Sequence, residues 1–197
     1  MRVVFIGTPE FAVPTLAALA DDPRFAVTLV VTQPDRPKGR GKRLLPSPVK
    51  EAALARGIPV IQPEKARAPE AIEAIAAHTP DYLVVVAYGQ ILPPALLAVP
   101  RLLPVNLHAS LLPRWRGAAP IHRAFLAGDK ETGVCAMVMA EGLDTGDVLQ
   151  CAATPIGDDD TVGRLHDRLA GIGAPLMIEA LLGYAAGTVA RHPQPAE

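Results

Sequence analysis

The residues best suited to chemistry lie in two short stretches, Asn106-Leu107-His108-Ala109-Ser110-Leu111-Leu112-Pro113-Arg114-Trp115-Arg116-Gly117 and Glu141-Gly142-Leu143-Asp144-Thr145-Gly146-Asp147. Asn106 and His108 stand two apart at the end of an apolar run, and side chains two apart on a strand face the same way. An uncharged amide beside an imidazole suits acyl transfer: as an amine attacks a carbonyl carbon, negative charge gathers on oxygen, and Asn106 can donate to it. His108 can donate or carry a proton. Asp144, on a glycine-flanked loop, is the carboxylate that can orient His108 and help take the amine's proton. The residues alone equally admit a plainer account, in which Asn106 caps a turn, His108 is a satisfied buried histidine and Asp144 stabilises its loop. Direct transfer needs no serine nucleophile, and Ser110 lacks the G-x-S-x-G elbow of a hydrolase.

The elements that must hold these groups follow from the apolar pattern. Residues 3–6, 27–31, 82–87 and 105–107 are β-branched runs that predict strands, while 11–20, 48–56 and 69–77 have the alanine, leucine and charge of helices. This alternation predicts an α/β fold, a Rossmann-like, mostly parallel sheet with helices on both faces. Residues 134–139 and 148–152 then predict a strand-loop-strand unit around the Asp144 turn, and 161–184 a long closing helix with Asp158, Asp159 and Asp160 capping its positive end. Ligands of parallel sheets bind beyond the carboxyl ends of the strands, so Gly7-Thr8-Pro9, Ala87-Tyr88-Gly89 and Asn106-Leu107-His108 are expected on one side. A main domain over 1–187 is expected, with 188–197, rich in proline, as the start of a linker.

Composition narrows the function further. Half of the 197 residues are hydrophobic, enough for one sizeable core, and no apolar run reaches the roughly 18 residues of a membrane span. The N-terminal apolar run ends quickly in Thr8-Pro9-Glu10, unlike a signal peptide, so a cytoplasmic protein with no membrane partner is expected. Cys135 and Cys151 have no metal-ligand spacing; buried, reduced thiols and no metal are expected. The first strand ends without G-x-G-x-x-G, and no G-x-x-x-x-G-K-[ST] occurs, which disfavours dinucleotide and triphosphate chemistry. The net charge of −1 hides a basic cluster: Arg36, Lys38, Arg40, Lys42 and Arg43 surround the single carboxylate Asp35. Its glycines and prolines predict an irregular loop that offers positive charge to phosphates, although a solvated charge run has the same composition.

Asn106-x-His108-x-Ser110-Leu111-Leu112-Pro113 followed by Leu143-Asp144-x-Gly146 resembles the folate-dependent formyltransferases. Gly7-Thr8-Pro9-Glu10-Phe11, Thr32-Gln33-Pro34-Asp35-Arg36-Pro37, Gly39-Arg40-Gly41-Lys42, Pro113-Arg114-Trp115-Arg116-Gly117-Ala118-Ala119-Pro120 and Gly142-Leu143-Asp144-Thr145-Gly146-Asp147 extend the likeness, in order, to members whose acceptor is methionyl-tRNA. The resemblance implies Asn106, His108 and Asp144 as catalytic residues. It implies 10-formyltetrahydrofolate as cosubstrate, held by Tyr88, Gly89, Gln90, Ile91 and Leu92 and by Ser110, Leu111, Leu112 and Pro113. The acceptor it implies is initiator methionyl-tRNA, gripped by Arg36, Lys38, Arg40, Lys42 and Arg43, with the chain acting as a monomer. Members of this kind usually carry a further β domain after the linker. An acceptor of another class, an amino sugar or small phosphorylated amine, remains open, as does a binding module without turnover.

Overall fold

The computed structural model describes residues 1–38 and 43–195, with only the backbone described at Lys38 and Arg43. The chain divides into two compact units, 1–104 and 105–197.

In the first unit, β1 (Arg2–Gly7), β2 (Ala26–Val31), β5 (Val60–Ile61) and β6 (Tyr82–Val86) pair in parallel in the order β5-β2-β1-β6. Val3, Val4, Phe5, Ile6, Leu83, Val84 and Val86 are wholly inaccessible, as strands covered on both sides must be. The connecting helices are α1 (Val13–Asp21), α2 (Pro48–Leu54), α3 (Pro69–Ala76) and the short α4 (Pro94–Leu97), each begun by a proline in its first turn, where the missing N–H costs nothing. The chain leaves β1 for β2 on one side and returns to β6 on the other. That reversal opens a crevice at the carboxyl ends of β1 and β6.

The basic segment departs from expectation. Its arms form a small antiparallel ladder, β3 (Arg36–Lys38) with β4 (Arg43–Leu45), pairing Arg36 with Leu45 and Lys38 with Arg43. Two extended arms brought back on each other satisfy their backbone groups as a ladder, which composition alone does not reveal. Arg40 and Lys42 lie outside the described residues.

In the second unit, β7 (Leu103–His108), β8 (Glu131–Val138) and β9 (Val148–Pro155) form an antiparallel meander, with α5 (Pro120–Leu126) between the first two and α6 (Val162–Ala185) closing the unit. Gly173 of α6 packs so closely on Leu107 that a β-carbon there would overlap it. Leu107 therefore faces α6, and Asn106 and His108 face away from it. Thr161, not the acidic triplet, caps α6 by accepting the Arg164 N–H at 3.2 Å; Asp160 instead pairs with Arg168 at 2.6 Å. That pairing holds the Asp160 carboxyl below the usual carboxylate range.

The cysteines are a second correction. Cys135 and Cys151 stand directly opposite each other across β8 and β9 and form a disulfide, with Cα atoms 4.1 Å apart. Residues directly opposite each other in an antiparallel pair bring their side chains into contact on one face of the sheet. Residue counting sees sixteen positions of separation, whereas the ladder makes them neighbours.

Candidate active site

At the end of β7 the imidazole of His108 is nearly inaccessible. Its Nε2 lies 2.9 Å from the Trp115 carbonyl, which can only accept, so Nε2 carries a proton. Its Nδ1 lies 3.4 Å from Asp144 Oδ2. The same Oδ2 accepts the Gly117 N–H at 2.9 Å. Nε2 and one carboxylate oxygen are thus engaged, and Nδ1 donates to Oδ2 only when the ring carries a second proton. Among the described residues, the Asn106 carboxamide and Asp144 Oδ1 have no hydrogen-bond partner. These are the polar groups left to meet a substrate, and Asn106 shares its strand face with His108.

Backbone geometry holds this arrangement. Asp144 sits at φ +52° and Trp115 at φ +61°, left-handed conformations that cost non-glycine residues energy and aim their side chains away from the local chain direction. Gly146 lies so near the Val138 carbonyl that a β-carbon would overlap it, and the Asp147 carbonyl accepts the Val138 N–H at 2.8 Å. The Asp144 loop can therefore close only with glycine at 146. Ser110 is wholly buried and donates to the Arg114 carbonyl at 2.6 Å, so its hydroxyl shapes the 110–114 turn. Leu111 lies against Gly133 of β8; Leu112 is partly buried, and Pro113, exposed, follows a cis peptide bond.

The outer wall of this loop is an aromatic and ionic cluster. Arg114 grips Asp129 with two bonds of 2.7 and 3.0 Å and lies 4.3 Å from the centre of the Trp115 ring, whose indole N–H donates to Asp129 at 2.7 Å. The Arg114 guanidinium, then the indole, hold the Asp129 carboxyl below its ordinary range. Trp115 is thereby a packed structural residue and not a free platform for a base.

In the first unit, the loops after β1, β2 and β6 converge. Thr8 Oγ1 donates to the Tyr88 carbonyl at 3.0 Å and Gln33 Nε2 to the same carbonyl at 3.3 Å. A cavity of about 480 Å³ opens there, lined by Thr8, Gln33, Arg36, Ser47, Tyr88 and Gly89 among others. Tyr88 is buried, its hydroxyl has no partner among the described residues, and burial pushes its pKa up. Gly89, at φ +89°, turns the chain where a side chain would be strained. Gln90 spends its amide on the Glu64 carbonyl and the Ala66 N–H. Leu92 is buried, but Ile91 is 87% exposed, an apolar side chain with nothing over it. Beside Arg36, Asp35 is drawn to Lys50 at 2.6 Å and to Gln62 at 2.6 Å, which lowers its pKa. The one carboxylate of the basic segment is therefore neutralised from outside it.

Sequence reasoning missed the carbonyl of Trp115, the N–H of Gly117, and Arg116 and Gln194, all of which touch the His108–Asp144 pair or the loops that carry it. Backbone atoms leave no mark in residue type, and a proline-flanked glutamine after a long helix carries no periodic signal. Among the described residues, no cluster of three metal-ligating side chains occurs and no helix is long and apolar enough to cross a membrane.

Residues 1–181 match the formyl transferase family. The methionyl-tRNA formyltransferase of Aromatoleum aromaticum is 57% identical over 197 residues, covering 100% of this chain and 62% of that protein. The chain thus spans about three-fifths of the length of the curated relatives it matches. Among solved structures, a phosphoribosylglycinamide formyltransferase from Bacillus halodurans superposes with a TM-score of 0.74 at 26% identity, covering 94% of this chain and 97% of its own. Glycinamide ribonucleotide transformylase 1 from Symbiobacterium toebii shares the fold at a TM-score of 0.81 and 21% identity, over 100% of this chain and 94% of its own. With the match running through β1 to α6, the chain belongs to the formyl transferase family.

Proposed function

We propose that the chain transfers the formyl group of 10-formyltetrahydrofolate to the free amine of methionyl-initiator tRNA, a cytoplasmic step in starting translation. The observation that carries this reading is the unpartnered Asn106 carboxamide beside a His108 already locked between Trp115 and Asp144. As the amine's lone pair forms the new C–N bond, the carbonyl electrons move to oxygen, where the Asn106 N–H donates. The amine's proton passes to the open Asp144 Oδ1, while the Gly117 N–H holds the other oxygen and His108 donates to it when its ring is doubly protonated. Breakage of the bond between the formyl carbon and N10 of the folate releases a nitrogen that takes that proton back, so charge and atoms balance. An α-amino group, with a reference pKa of about 7.7–8.0, is largely ready to attack near neutral pH, and alignment supplies most of the acceleration.

Folate binding is assigned to Tyr88, Gly89, Gln90, Ile91 and Leu92 and to Ser110, Leu111, Leu112 and Pro113. Exposed Ile91 supports this as a surface for a flat ring, while the committed side chains of Gln90 and Ser110 leave backbone groups as the donors and acceptors there. The tRNA assignment is supported by the cations of residues 36–43 and by the withdrawal of Asp35 to Lys50. The test is formylation of methionyl-tRNA by this chain with 10-formyltetrahydrofolate, alongside a form lacking residues 38–43. Loss of tRNA formylation in the deleted form, with folate binding retained, supports the reading. Equal turnover in both forms, or turnover of small amines only, sinks the tRNA acceptor.

A further inference from the structure

We propose that Gln194 is a positioning residue for the carboxylate of Asp144, through a strap formed by the segment after α6. This rests on the formyl-transfer reading above. The Gln194 Nε2 donates to two carbonyls of the acid-bearing loop, Asp144 at 2.9 Å and Gly146 at 2.7 Å. Its Oε1 accepts from Arg116 Nε at 2.9 Å, and the same guanidinium donates to the Pro195 carbonyl at 3.1 Å. Arg116 stands between Trp115, whose carbonyl holds His108 Nε2, and Gly117, whose N–H holds Asp144 Oδ2. One side-chain amide therefore joins the two loops that grip opposite ends of the imidazole.

The strap is anchored before it reaches Gln194. His192 and Val148 exchange backbone bonds of 2.8 and 2.9 Å, and Arg191 pairs with Asp147 at 2.8 Å. These contacts bind the segment to the C-terminal end of the Asp144 turn, where β9 begins. Such help matters because the Asp144 backbone is in the left-handed region, which a residue with a side chain holds at some cost in energy. Fixing its carbonyl fixes the peptide plane and hence the direction of the carboxylate. Reaction rates are steep in this geometry: a displacement of about 1 Å from productive alignment can cost on the order of a hundredfold.

Gln194→Glu tests the strap with nearly unchanged shape. It keeps an oxygen for Arg116 but replaces the donor with an oxygen that faces two carbonyls. The expected result is a fall in kcat for methionyl-tRNA of about tenfold or more, with KM for the folate within about twofold, because the amide acts on alignment and not on binding. Hydrogen exchange at residues 142–147 should quicken while the α6 core is unchanged. Gln194→Ala should reproduce both effects. Exchange is read without turnover, so it separates the two levels of the argument. If the unaltered chain formylates nothing, the functional reading fails whatever exchange shows. If it is active and either exchange at 142–147 or kcat is unchanged in both variants, the positioning role is overturned. A loss of kcat matched by general loosening of the whole unit also overturns it.

Discussion

Replacing Cys151 with serine should lower the melting temperature by an amount the topology sets. Cys151 is exposed on β9 whereas Cys135 is inaccessible on β8, so Cys151→Ser opens no core cavity and the change acts through the unfolded chain. A link across sixteen positions removes loop freedom worth about 3 kcal/mol in the chain-entropy account. For a chain of this size each kcal/mol moves the midpoint by roughly 2–4 °C, so a fall of roughly 6–12 °C is expected. The assay is thermal unfolding by circular dichroism of the oxidised chain, of the same chain with a dithiol reductant, and of Cys151→Ser. The reduced chain and the variant should melt together, and reductant should not move the variant. A midpoint for Cys151→Ser within about 2 °C of the oxidised chain would refute the account, since the link would then restrain nothing that the β8–β9 ladder does not already restrain.

Asn106→Ala and His108→Ala should each cut formyl transfer by on the order of a hundredfold without unfolding the chain, as steady-state rates and circular dichroism will report. Asp144→Asn should lower kcat strongly and leave the folate dissociation constant, measured by calorimetry, nearly unchanged, because the role proposed for the carboxylate is to handle charge and not to hold the ring. Replacing both Arg40 and Lys42 with alanine should weaken tRNA binding and flatten its dependence on salt, because fewer counterions are released, with folate binding unaltered. Asp129→Asn should destabilise at neutral pH and lose that effect in acid. The folded carboxyl is held below its unfolded value of about 3.9, so its stabilisation is complete above that value and disappears as pH falls through the lower folded one. A urea-midpoint difference that stays constant down to acid pH would exclude the Arg114–Asp129 pair as its source.

Local signals carried most of the framework. The β-branched runs at 3–6, 27–31 and 82–87 became β1, β2 and β6, and the helix expected over 161–184 became Val162–Ala185, because strand and helix periods are written within a few neighbouring residues. Prolines at the starts of α2 and α3 set those boundaries within the sequence itself. The disulfide, the β3–β4 ladder and the Gln194 strap were invisible for a common reason. Each depends on register between segments that meet only after folding. At the candidate site, Asn106, His108 and Asp144 were legible by residue type. The Trp115 carbonyl and the Gly117 N–H that orient the last two were not, because every residue has a backbone.

The left-handed backbone at Trp115, Ala119 and Asp144 sets heat tolerance against turnover in an uneven way. Each such residue carries roughly 1 kcal/mol or more of conformational cost that glycine would shed. A search for hardier variants that rewards only survival at high temperature would weigh that relief against the bonds each side chain makes; at Trp115 the indole's bond to Asp129 and its contact with Arg114 outweigh it. At Ala119, which begins α5 with no side-chain bond to lose, the exchange should be harmless. At Asp144 the same exchange would strip the Gly117 N–H of its acceptor while discarding the carboxylate, so the strain relieved is offset by the bond lost, and a screen on melting alone would be blind to the loss of the proposed proton acceptor.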